Sequence, residues 1–211
     1  VRRLVSLSVL ALFLLVVSTL SLAHPPEPLD PEVSPQVASY AIKSTIVTND
    51  VRGRTLARTS AGRLWTVYLK TTGVFAAYSD NGGATWTEEQ VAAMAGQESV
   101  AIAIDSADSL HVVWCGLGWG ANPSIENIEY RKRTTSWQAQ EAITDKNRNQ
   151  GWPSIAIDSA DNAHVVWDGW GWGANVDDAN IEYRKRTTSW QTQEAVTDKN
   201  AQQTYPDLAI D

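Results

Sequence analysis

Ser154-Ile-Ala-Ile-Asp-Ser-Ala-Asp-Asn-Ala-His-Val-Val-Trp167 copies Ala101-Ile-Ala-Ile-Asp-Ser-Ala-Asp-Ser-Leu-His-Val-Val-Trp114, 53 residues earlier. The copy continues without insertion or deletion: residues 101–153 and 154–206 agree at about 38 of 53 positions. Asp105 recurs as Asp158 and again as Asp211, Tyr130 as Tyr183, Trp137 as Trp190 and Pro153 as Pro206. A period of this length marks supersecondary units that stack to bury a shared core.

One unit predicts four short strands. Ser154–Asp158 is an apolar run, and Ser159–Asn162 is turn chemistry, because Asp, Asn and Ser bond their own backbone. Ala163–Trp167 is a second strand, 168–180 a Gly-, Trp- and Asn-rich loop, Asn180–Lys185 a third strand, and Trp190–Val196 a fourth. Residues 198–205 link to the next copy. No helical period occurs, and Val, Ile, Trp, Tyr and Thr fill the runs. The reading is all-β: a β-propeller of four-stranded antiparallel blades. A diverged copy precedes the two, with Leu56–Trp65 lying over Ile102–His111 and Val74–Tyr78 matched to Asn127–Tyr130. The expected blades are 44–98, 99–152 and 153–205, with the first strand of a fourth at 206–211.

Residues 1–23 resemble a secretory signal: Arg2-Arg3, an apolar run from Leu4 to Leu22, and Ser21-Leu22-Ala23 as a small-x-small cleavage site. An uncleaved membrane anchor is the alternative. Val1 in place of Met gives the expectation of a GTG start, hence a prokaryote; a clipped fragment is the alternative. Residues 24–39 are a Pro-rich linker. The net charge of −7 argues against nucleic acid and anionic membrane surfaces as partners. The basic clusters Arg131-Lys132-Arg133 and Arg184-Lys185-Arg186 are expected to be solvated strand ends. A lone cysteine, Cys115, replaced by Asp168 in the other copy, excludes an intrachain disulfide framework. Asp105, Asp108, Asp158 and Asp161 are expected to cap turns, and His111 and His164 to be satisfied within the core. No metal and no cofactor is expected.

Ser79-Asp-Asn-Gly-Gly-Ala-Thr-Trp86 resembles the Asp-box, S-x-D-x-G-x-T-W, of the BNR repeats in sialidase-like propellers, with Asn81 where that family has Asp. The resemblance implies a structural role for Ser79, Asn81, Gly83, Thr85 and Trp86, which tie the turn between third and fourth strands. It also implies a test for sialidase chemistry: an arginine triad, a Tyr nucleophile polarised by Glu, and an Asp acid/base. Arg52 is the one weak candidate for that set. The stretch 69–73, where the family's acid would stand, has none, and Tyr130 and Tyr183 are repeats of each other.

Strand order puts the second-to-third loops and the inter-blade links on one face. That face gathers Trp119, Asn122, Trp152, Trp170, Trp172, Asn175, Asp177 and Tyr205. Aromatic rings stack on sugar faces, and Asn and Asp bond hydroxyls. The expectation is an exported, noncatalytic propeller that binds a glycan or a protein surface through these loops. The alternatives are an N-terminal fragment of an exo-sialidase or related glycoside hydrolase, and a structural or adhesive module. Self-association through an open propeller edge is a further expectation.

Overall fold

The computed structural model describes residues 54–210. The signal and linker expectations, and Arg52, lie outside the described residues. Within them the chain is all-β with no α-helix. Strands β1 (Leu56–Arg58), β2 (Leu64–Lys70), β3 (Gly73–Ser79) and β4 (Thr87–Ala92) form one antiparallel meander. Strands β5 (Gln97–Ile104), β6 (Leu110–Gly116), β7 (Asn127–Arg133) and β8 (Trp137–Ala142) form a second. Strands β9 (Gln150–Ile157), β10 (Ala163–Gly169), β11 (Asn180–Arg186) and β12 (Glu194–Ala195) form a third. The sheets meet at their first strands, β1 against β5 and β5 against β9, in a propeller-like arrangement.

Alternation along the first strand explains how the sheets nest. On β5, Val100 and Ile102 face the first sheet, where they meet Trp65, Val67 and Leu69. Ala101 and Ala103 face the third sheet and meet Ile155. Each sheet therefore presents branched side chains to its predecessor and alanines to its successor. Large against small allows close approach without voids. Trp114 and Trp167 are fully buried in the two inter-sheet layers.

Hydrogen bonds between sheets repeat with the sequence. The Ser60 N–H and hydroxyl both reach the Asp108 carboxylate, at 2.7 and 2.6 Å. Ser106 binds Asp161 in the same way, at 2.8 and 2.6 Å. Arg133 forks onto Glu89 at 2.6 and 2.7 Å, and Arg186 onto Glu141 at 3.0 and 2.8 Å. Arg131 donates to the Val91 carbonyl and Arg184 to that of Ile143. The basic clusters are thus not solvated strand ends. Their arginines bind the preceding blade, and Lys132 and Lys185 pair with Asp105 and Asp158 at 2.8 and 3.2 Å.

The turn aspartates cap as their chemistry dictates. Asp105 Oδ1 accepts the Ala107 and Ser109 N–H groups, while Oδ2 meets His111 Nε2 at 3.0 Å. His111 Nδ1 in turn lies 2.9 Å from the Tyr130 hydroxyl, and Asp158, His164 and Tyr183 repeat the chain.

Three sequence expectations shift. Tyr78 pairs with Trp65, as Lys132 pairs with His111, so Tyr78 corresponds to Lys132 and not to Tyr130. The longer turn after β3 displaces the apparent match. Trp152 lies inside β9 and not in a link, because the strand begins at Gln150 and carries a bulge. Residues 206–210 carry no strand. In the other blades the first strand is zipped to the second, whereas among the described residues no strand pairs with 206–210.

Candidate functional site

In the second and third blades the loop face is organised by one buried carboxamide each. Gln97 Oε1 accepts the indole N–H of Trp114 at 2.8 Å and of Trp119 at 3.2 Å. Gln150 Oε1 does the same for Trp167 and Trp172, each at 3.0 Å. The Gln side chain lies against a glycine in the facing strand, where a Cβ would come within 2.3 Å at Gly116 and 2.1 Å at Gly169. Trp119 and Trp172 are therefore anchored by their polar edge and half-buried. Lys146 adds a cation 3.7 Å from the Trp172 ring centroid.

Further loop residues fix the backbone. Asp145 and Asp198 each accept one loop N–H, from Ala121 and Ala174, at 2.8 Å. Asn122 and Asn175 close local turns onto the N–H groups of Ser124 and Asp177. Asp177 is exposed and pairs with Arg148 at 3.0 Å. Trp170 is half-buried in the same loop.

A second cluster sits at one position of the repeat, which in β5 and β9 is the bulge of the first strand. Ser99, Trp152 and Tyr205 occupy equal positions in successive repeats, and all have left-handed backbones, with φ of 38°, 46° and 62°. Such φ values are uncommon for bulky residues and cost on the order of 1–3 kcal/mol each. The bulge re-aims the side chain. The Trp152 and Tyr205 rings meet edge to face, 4.9 Å between centroids, and Tyr205 is 46% exposed. Asp168 Oδ2 accepts the Tyr205 N–H at 2.9 Å, and the Trp152 N–H faces the Cys115 sulfur at the equivalent place.

The structure thus divides six of the eight sequence-predicted residues. Trp119, Trp172, Asn122 and Asn175 are held by bonds within their own blade. Trp152, in β9, and Tyr205, at the equivalent place one repeat later, form a ring pair.

Buried carboxylates lie behind these groups. Asp168 is fully buried, its Oδ1 lacks a hydrogen-bond partner, and burial pushes its pKa up to about 7 against the Tyr205 N–H. Burial likewise pushes Glu129 and Glu182 up to about 7, partly offset by Gln140 and Gln193. Burial and the neighbouring Glu98 raise Glu126. Among the described residues no group of three or more His, Cys, Asp or Glu side chains is placed to hold a metal ion.

On the opposite, turn face, a cleft of about 590 Å³ opens between the first two blades, bordered by Arg58, Arg63, Asp80, Asn81 and Arg133. Sequence reasoning missed it, because its walls come from two different repeats. Arg63 is held by Asp80 at 2.6 and 2.9 Å. Beside the cleft, Ser79 to Trp86 make a closed turn. Asn81 Oδ1 accepts the Ser79 hydroxyl and the Thr85 N–H, Ser79 Oγ accepts the Gly83 N–H, and Trp86 donates to the Gly83 carbonyl. Trp86 packs on Tyr68, Phe75 and Ala77.

No protein-family model and no curated protein matches this chain. Solved structures share its fold. One, described as a polysaccharide lyase of family PL25, an ulvan lyase, superposes with a TM-score of 0.55 at 9% identity, over 70% of this chain and 44% of that one. Another, a protein of unknown function from Dyadobacter fermentans, gives a TM-score of 0.50 at 9% identity, over 66% and 49%. The chain spans about half the length of these structures or less. At this identity the likeness establishes the propeller-like fold.

Proposed function

We propose that this chain is an exported, noncatalytic propeller of the sialidase-like, Asp-box kind that binds a glycan through its loop face. The observation that carries this reading is the Trp152–Tyr205 ring pair. Two large aromatic residues are held at strained, left-handed positions with their rings edge to face, Trp152 at the bulge of β9 and Tyr205 at the equivalent place one repeat later. Strain of this sort persists where the displaced side chain has work to do. A ring pair offers apolar faces to sugar C–H groups. The shared fold of a solved polysaccharide lyase supports a carbohydrate ligand for this scaffold.

The test is binding to immobilised polysaccharides and a glycan array. Trp152→Ala with Tyr205→Ala should weaken retention about tenfold, the equivalent of roughly 1.4 kcal/mol. Retention unchanged in the double variant, with a native melting profile, would remove the basis for the proposal.

A further inference from the structure

Lys146 fills a place against the third blade that is a cavity against the second. Its ammonium nitrogen lies 3.7 Å from the Trp172 ring centroid. Burial raises the neighbouring Glu182, and Gln193 and the Lys146 charge pull it back. The link that carries Lys146 runs between two anchors, the Ile143 carbonyl that takes Arg184 and the Asn149 carbonyl that takes the Trp170 N–H. It reads Thr144-Asp-Lys-Asn-Arg148. The first blade has the same two anchors, the carbonyls of Val91 and Gly96. Between them stands Ala92-Ala-Met-Ala95, one residue shorter and without a cation.

Trp119 and Glu129 are the counterparts of Trp172 and Glu182, 53 residues earlier. They border a cavity of about 230 Å³, lined among the described residues by Trp119, Gly120, Glu129, Gln140 and Ala142. Trp119 is half-buried, and its bond to Gln97 fixes the ring by its edge. Glu129 is only 2% exposed. Its Oε2 accepts from Gln140 Nε2 at 2.9 Å, and its Oε1 has no hydrogen-bond partner. Burial pushes Glu129 up to about 7; Gln140 opposes the rise and Asp145 adds to it. A buried carboxylate without a counter-charge is costly. An aromatic ring beside such a carboxylate suits a cation, because the ring quadrupole attracts the charge and the carboxylate accepts its N–H. Lys146 shows which kind of cation this arrangement takes one blade further on.

We propose that the cavity between Trp119 and Glu129 binds a protonated primary amine, carried by an amino sugar. The ammonium takes the place that Lys146 takes over Trp172, and it gives Glu129 Oε1 the donor that it lacks. Gly120 and Ala142 are small and exposed, so the rim leaves room for the ring that carries the amine. The amine follows from the cavity itself; the sugar rests on the glycan reading of the loop face.

The test is an NMR titration of the indole N–H signals of the full chain with three probes: glucosamine, N-acetylglucosamine and n-butylamine. Glucosamine and butylamine should shift the Trp119 signal, and N-acetylglucosamine, which has no ammonium, should not. Glu129→Gln keeps the shape and should keep the melting temperature, yet weaken glucosamine binding about tenfold or more. Lys146→Ala should open the matching place in the third blade, so that Trp172 responds as well as Trp119. The proposal is overturned if N-acetylglucosamine matches glucosamine, if a folded Glu129→Gln chain binds as before, or if Trp172 stays silent in Lys146→Ala. Butylamine that titrates Trp119 where glucosamine does not would overturn the amino sugar as its carrier. The ring-pair reading fails separately: Trp152→Ala with Tyr205→Ala tests polysaccharide retention and should leave the Trp119 titration unchanged.

Discussion

Trp172 donates its indole N–H to Oε1 of Gln150 at 3.0 Å, and that oxygen also serves the buried Trp167. One carboxamide thus links the flexible-looking loop to the deepest tryptophan of the blade. The loop tryptophans answer to the core before they answer to any ligand.

Trp172→Phe keeps the ring and removes the donor. It should cost about 1 kcal/mol, a drop of about 2–4 °C in melting temperature. Gln150→Ala should cost more, because it leaves two indole N–H groups short of an acceptor. Thermal melts followed by near-ultraviolet circular dichroism would measure both. Equal, negligible shifts would show that the shared acceptor does not matter.

Asp168 sets a pH dependence. An Asp in an unfolded chain ionises near pH 4, whereas burial pushes Asp168 up to about 7. Between those values the folded protein holds a proton that the unfolded chain has released, so stability falls as pH rises through that window. Glu129 and Glu182, also pushed up to about 7, act in the same sense. Asp105 acts in the opposite sense. Its burial would raise it, but hydrogen bonds from Lys132, His111 and the Ser109 N–H hold it below the usual carboxylate range. Its contribution is present above about pH 4 and is lost on acidification below that. Asp168→Cys installs the residue found at the equivalent Cys115. In reducing buffer it should raise the melting temperature by several degrees at pH 8, with the gain shrinking toward pH 4. A gain independent of pH would contradict the assignment.

Asn81 closes the turn after β3 by accepting from Ser79 and Thr85 and donating to Thr85 Oγ1 at 2.8 Å. Asn81→Ala should destabilise the chain by about 1–2 kcal/mol and leave glycan retention unchanged. Loss of binding without loss of stability would make this turn part of a ligand site.

Sialoside cleavage is not expected of this polypeptide. The turn between β2 and β3 is Thr71-Thr72, which offers no acid, and Tyr130 and Tyr183 are repeats of each other, so neither is a unique nucleophile. The assay is release of a fluorogenic leaving group from a sialic acid conjugate. Turnover that disappears in Arg52→Ala would overturn the noncatalytic reading.

The blades could be read from the sequence because turn chemistry at Ser159–Asn162 and apolar runs such as Ile155–Ile157 are local signals. The alternation of Ile and Ala on the first strand was equally visible. What stayed hidden depends on distant partners. Arg133 reads as a solvated charge until Glu89, 44 residues away, is placed beside it. Gln97 and Gln150 read as linker polar residues until two indoles converge on each. Trp152 could not be recognised as a strand residue, because a left-handed bulge leaves no pattern in side-chain type. Of the eight candidate residues, the ring pair emerged only when equal positions of neighbouring repeats came together.

The branched-to-alanine nesting of the first strands has a genetic consequence. A unit that is knob on one side and socket on the other fits its own duplicate, so in-frame duplication or deletion of the segment that encodes it would gain or lose a whole blade. The products would differ by 53 residues and keep every inter-blade layer intact. Copy number is then the cheap variable in this architecture, and the geometry of a single layer the conserved one.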